Sequence, residues 1–88
     1  EYHSNYESGN GYPDITFKAE RNTKAVIIEI KATSNEEDMD ELATNALSQI
    51  EEKNYAQPFI KQSKITEIYA YGLVFCKKDC LVFCKKLK

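Results

Sequence analysis

One segment alone carries the period of a helix. Met39, Leu42, Ala43, Ala46, Leu47 and Ile50 follow the 3, 4, 7, 8, 11 spacing of a single apolar face. The segment opens at "SNEE", where Ser34 and Glu37 have the spacing of a capping box and Glu36, Glu37 and Asp38 suit the positive end of a helix. It runs to about Lys53 and is broken before Pro58. Everything around it alternates in the manner of strands, and that fixes how the chain can be layered.

Residues 1 to 7 alternate Tyr2, Ser4 and Tyr6 against His3, Asn5 and Glu7, then reach the turn-forming "SGNG". Residues 12 to 18 and 25 to 33 are rich in aromatic and β-branched residues and are joined by the polar "AERNTK", which reads as a hairpin turning at Arg21 and Asn22. Residues 65 to 76 and 80 to 86 form a second hairpin through "KKD". "LVFCKK" occurs twice, at 73 to 78 and 81 to 86; this echo is too short for a solenoid repeat and reflects two strands of similar composition.

The order strand, strand, strand, helix, strand, strand predicts an α/β fold with a mixed five-stranded sheet. A helix between the third and fourth strands suits a right-handed crossover, which makes those two strands parallel; short turns make the other neighbours antiparallel. The helix covers one face, and nothing in these residues covers the other. Eighty-eight residues make one small domain, 1–88, with a modest core. A chain that starts at Glu1, with no leader and no apolar run near a membrane span, is expected to be a soluble, cytoplasmic piece of a longer protein.

Charge is unevenly spread behind a net value of -2. Residues 36 to 52 hold seven acids and no base, whereas residues 53 to 88 hold eight lysines against Glu67 and Asp79. The basic half permits a nucleic-acid partner, although lysines also keep exposed strands soluble and unpaired. Cys76, Cys80 and Cys84 are read as reduced thiols, and the distant His3 does not complete a four-ligand zinc site with them.

The two central strands break the pattern of an ordinary sheet. Ile27, Glu29 and Lys31 share one side of their strand, and Asp14 and Thr16 alternate against Ile15 and Phe17. With a two-residue turn at Arg21 and Asn22, Asp14 stands opposite Glu29. Two carboxylates about 4.5 to 5.5 Å apart at their β-carbons repel each other, which a purely structural sheet avoids. They also make a pair of hard oxygen donors of the kind Mg2+ takes. Lys31 adds a cation that can orient water or meet developing negative charge, and the three groups are expected on one face near the mouth of a groove. Glu29 and Lys31 pointing into the packed face beneath the helix would count against catalysis. The alternative is a surface Glu–Lys ion pair with Asp14 as an acid near a turn. Gln49 lies at the margin of the helix's apolar face and can point along the sheet toward Asp14 and Glu29, or be a boundary residue; Lys53 reads as a charge at the helix C-terminus.

"PD" at 13 and 14, followed by "IEIK" at 28 to 31, resembles the signature of the PD-(D/E)XK nuclease superfamily. "ESGNGYPDI", "AVIIEIKAT", "ALSQIEEKNY" and "YAYGLVFCKKDC" resemble, over almost the whole chain, the nuclease-like domain that follows an AAA-ATPase-like domain in many bacterial proteins. The resemblance implies a restriction-endonuclease-like fold whose first core helix is missing from this chain. It implies an Mg2+- or Mn2+-dependent phosphodiesterase in which Asp14 and Glu29 hold the cation, the carbonyl of Ile30 adds a ligand and Lys31 assists the attacking water. Gln49 and Tyr55 match recurring positions of the narrower family, and Glu7 is either a further outer acid or a turn cap. The implied substrate is nucleic acid, DNA before RNA, with no membrane partner; the alternative is a non-catalytic interaction module of an ATPase-linked protein that retains the motif. With one sheet face uncovered, two copies are expected to form a homodimer, through that face or through the repeated "LVFCKK" strands, whose lysines oppose edge pairing.

Overall fold

The computed structural model describes the backbone of residues 2–4 and the whole of residues 13–88. Its centre is a mixed sheet in the order β1(Tyr2–Ser4), β2(Ile15–Ala19), β3(Lys24–Ala32), β4(Glu67–Cys76), β5(Asp79–Lys86). The four longer strands carry the sheet, and the three residues of β1 pair antiparallel along the outer edge of β2. Pairing is antiparallel between β2 and β3, parallel between β3 and β4, and antiparallel between β4 and β5. The connection between the two parallel strands contains the helix α1(Met39–Glu52) and the short helix α2(Gln57–Ile60). Glu7 and the "SGNG" turn lie outside the described residues.

The helix starts one residue later in its cap than the sequence suggests. Asn35, not Ser34, accepts the free N–H of Glu37 at 3.0 Å, and a 3-10 turn over Glu36–Asp38 leads into α1. Asn35 is itself fixed by the Thr33 hydroxyl, which accepts its N–H at 3.0 Å. The Asn35 amide oxygen, standing two residues before Glu37, closes a tighter turn than the three-residue span of the Ser34 box would. Pro58, expected only to follow the end of the helix, sits in the first turn of α2, where its missing N–H costs nothing.

The hairpin between β2 and β3 also differs in its turn while keeping its register. Ala19 pairs with Lys24, leaving the four-residue loop Glu20 to Thr23 in place of a two-residue turn. Glu20, Arg21 and Asn22 all have positive φ, and Thr23 N–H bonds back to the Ala19 carbonyl at 3.1 Å. Opening a hairpin loop by one residue on each side leaves the pairing unchanged, so Ile15 still faces Ile28.

Side-chain alternation then sorts the sheet into two faces. Ala25, Ile27, Ile68, Ala70 and Val74 are buried on one face against Ala43, Ala46 and Ile50 of α1. Phe59 of α2, Tyr55 and Ile65 complete this core. Each fully buried Ile or Phe contributes about 1.5 to 3 kcal/mol. Gly72 lets the helix approach: a Cβ there would lie 2.7 Å from the Ala43 carbonyl oxygen and 3.0 Å from the Ala46 Cβ. On the opposite face Val26, Ile28, Ile30, Tyr69, Tyr71 and Leu73 are only half-buried, and Phe75 keeps 44% of its surface exposed. No described helix is long and apolar enough to cross a membrane.

Candidate functional site

The buried face of β3 carries an ionisable residue into the core. Against the expectation of a groove mouth, Glu29 follows Ala25 and Ile27 onto the side that α1 covers and pairs with Gly72 across the parallel ladder, while Asp14 and Lys31 stay half-buried at its margin. Glu29 is 5% exposed. Its Oε1 is buried without a hydrogen-bond partner among the described residues. An unpaired buried polar oxygen costs roughly 1 to 3 kcal/mol, more when charged. Burial, and then the neighbouring Asp14 carboxylate, raise the Glu29 carboxyl above the ordinary 4.5. The Lys31 charge and hydrogen bonds from the Asp14 backbone and the Gln49 side chain oppose that rise.

Asp14 reaches the same spot from the next strand. Pro13 is fully buried, and β2 begins only at Ile15, so Asp14 lies just beyond the ladder. Its Oδ2 accepts the N–H of Ile30 at 2.7 Å, satisfying a group that the end of β2 leaves unpaired. The carbonyl of Ile30 leaves the strand on the same edge as its N–H, and therefore opens toward Asp14.

Lys31 continues the row. Its Nζ donates to Gln49 Oε1 at 2.7 Å and lies 3.9 Å from Glu29 Oε2, with 29% of the side chain exposed. Gln49 Nε2 donates in turn to the Tyr55 hydroxyl at 3.3 Å. Tyr55 is brought back under the helix by the way α1 ends. Asn54 takes a left-handed φ of 56°, its N–H bonds to the Glu51 carbonyl and Tyr55 N–H bonds to the Ile50 carbonyl, the paired closure of a Schellman turn. Asp14, Glu29, Lys31 and Gln49 thus meet at one end of the junction between sheet and helix. Lys53 is exposed past the helix end and takes no part.

The donor set suits a hard divalent cation. Among the described residues no three His, Cys, Asp or Glu side chains gather as a metal-binding group. Two adjacent carboxylates, one with a buried unpartnered oxygen, together with an outward backbone carbonyl, are instead what Mg2+ uses when water or phosphate oxygens supply its remaining ligands. The three cysteines are free, Cys76 buried and Cys80 and Cys84 exposed.

A buried glutamate and a lysine one pleat apart, an aspartate after proline on the adjacent strand, and a mixed sheet with its crossover helix define a nuclease-like α/β domain. The family model described as the PD-(D/E)XK nuclease superfamily matches residues 1–84, and the chain belongs to that family. Neither a curated protein nor a solved structure matches it. Members of the superfamily are generally dependent on a divalent metal and act on nucleic acid.

Proposed function

We propose that this domain hydrolyses phosphodiester bonds of DNA with Mg2+ or Mn2+ bound by Asp14, Glu29 and the Ile30 carbonyl. The observation that carries this reading is the unpartnered, buried Oε1 of Glu29 beside a second carboxylate. A cation there would act as a Lewis acid and lower the pKa of a bound water. Asp14 keeps its carboxylate aimed by accepting the Ile30 N–H. Lys31 holds a positive charge beside the reacting phosphate, where it orients the attacking water and meets negative charge as it develops. Gln49 fixes the Lys31 ammonium, and Tyr55 fixes the orientation of the Gln49 amide. The reading extends to a cytoplasmic parent chain with an AAA-ATPase-like domain and to a domain that works as a homodimer.

The test is cleavage of linear and supercoiled DNA, with RNA in parallel, in Mg2+, Mn2+ or excess chelator, alongside calorimetric titration of Mn2+. Asp14→Ala and Glu29→Ala should lose both metal binding and cleavage, whereas Lys31→Ala should keep binding and lose cleavage. Cleavage in chelator, or full activity in all three variants, refutes the mechanism.

A second reading has its own support. The exposed outer face of α1 and the turn before it carry Glu36, Glu37, Asp38, Asp40, Glu41, Glu51 and Glu52, a surface that repels a phosphate backbone. It favours a non-catalytic interaction module that keeps the motif. Metal binding with no cleavage of any nucleic acid by the full parent chain decides for that module.

A further inference from the structure

The outer edge of β5 has an order of residues that matches itself when reversed. From Asp79 to Lys85 the strand reads acid, Cys, Leu, Val, Phe, Cys, base. β5 ends the sheet, and its pairing with β4 runs without a bulge from Asp79 to Lys86. No proline interrupts it, and its five central residues carry no charge. Val82 is 50% exposed, and Cys80 and Cys84 are exposed beside it. A long, regular, apolar edge is a template for another strand.

The backbone parity is equally suited. Leu87 N–H donates to the Ile68 carbonyl at 2.7 Å, so the odd residues of the strand turn their polar groups toward β4. By alternation, the N–H and C=O groups of Cys80, Val82 and Cys84 point away from the sheet. Among the described residues no strand takes them up.

We propose that β5 pairs antiparallel with β5 of a second copy of this chain, about a two-fold axis through Val82. In that register Val82 faces Val82, Leu81 faces Phe83, Cys80 faces Cys84 and Asp79 faces Lys85 of the other copy. The facing positions on the outward edge form hydrogen-bonded pairs, and the two sheets become one. Sliding the strands by one pleat in either direction removes both Asp79–Lys85 pairs, and in one direction it brings Lys77 against Lys85. Charge therefore selects one register and orientation. Lys85 already contacts Glu51 at 2.9 Å, but an ammonium has three donors and can also meet Asp79. Beyond the pairing segment Lys78 faces Lys86; Lys78 lies in the turn, and Lys86 is held by Glu67 at 3.5 Å. This edge lies two strands from Glu29 and three from Asp14, so the contact rests on the homodimer part of the proposed function and not on its metal chemistry.

Facing Cys80 and Cys84 make the register readable. Hydrogen-bonded antiparallel partners have α-carbons about 5.5 Å apart, inside the range of about 4.4 to 6.8 Å that disulfides span. Within one copy the two thiols are four residues apart along an extended strand, about 13 Å, and cannot join.

The experiment combines sedimentation velocity of the purified protein at tens of micromolar with diamide oxidation and peptide mapping. The protein should sediment as a dimer. Asp79→Lys and Lys85→Glu should each weaken association by about tenfold or more, and the double variant should restore it to near the wild-type value. Diamide, which takes up the two protons and two electrons released by each thiol pair, should yield Cys80–Cys84 peptides linked between copies. If a charge reversal fails to fold, Val82→Lys, which sets two ammonium groups together at the axis, carries the same test and should give a monomer. A monomeric wild type, a dimer indifferent to these substitutions, or Cys80–Cys80 and Cys84–Cys84 links would overturn the proposal.

Discussion

Replacing Gly72 by Ala tests whether the site depends on how closely α1 lies on the sheet. The added methyl would sit 2.7 Å from a backbone carbonyl oxygen and 3.0 Å from the Ala46 Cβ. A retreat of about 0.7 Å restores ordinary contact with the carbonyl. Overpacking of this kind costs about 1 to 3 kcal/mol, offset by about 0.4 to 1 kcal/mol because alanine restricts the unfolded chain. The midpoints of these ranges leave a net loss of about 1.3 kcal/mol, which in a domain of this size lowers Tm by roughly 5 to 10 °C. Thermal and urea denaturation followed by circular dichroism measure it. Ala46→Gly added to the variant should recover little, because the nearest obstruction is backbone. The same retreat would carry Gln49 away from Lys31 and stretch their 2.7 Å hydrogen bond, so cleavage should fall further than Mn2+ affinity. A Gly72→Ala protein as stable as the wild type would show that the helix does not rest on this strand as closely as described.

Three further outcomes follow from the same geometry. Because the fold raises the Glu29 carboxyl above 4.5, its favourable share of stability is present below that value and is lost as pH rises through the displaced one; in chelator, Glu29→Gln should exceed wild-type stability at pH 7 by about 1.4 kcal/mol for each unit of displacement, with the gap closing toward pH 4. A Tm difference independent of pH would contradict it. Gln49→Ala should leave Mn2+ titration unchanged while lowering cleavage by about 10- to 100-fold, and equal losses in both would make Gln49 part of the metal site rather than a positioning residue. Asn54→Gly should be neutral or stabilising and Asn54→Val should cost about 1 to 2 kcal/mol in urea denaturation, since only the latter strains the left-handed closure of α1.

Much of the architecture is local enough to be written in the sequence. The apolar period from Met39 to Ile50 specifies a helix because side chains at that spacing must share one side of a 3.6-residue turn, and alternation specifies the faces of β3. The register of β2 on β3 was legible even though the loop was not, since pairing depends on where the apolar alternation is centred and tolerates symmetric opening of the turn. The choice of Asn35 over Ser34 was less so, because both can cap and the Thr33 hydroxyl decides between them. Only the tertiary structure decided that Glu29 lies beneath α1 with an oxygen left unpartnered, for its burial depends on Gly72 admitting the helix on the neighbouring strand. It likewise decided the chain of contacts from Tyr55 through Gln49 to Lys31: a helix margin is visible in sequence, but which polar groups meet across it depends on how the end of α1 folds back at Asn54.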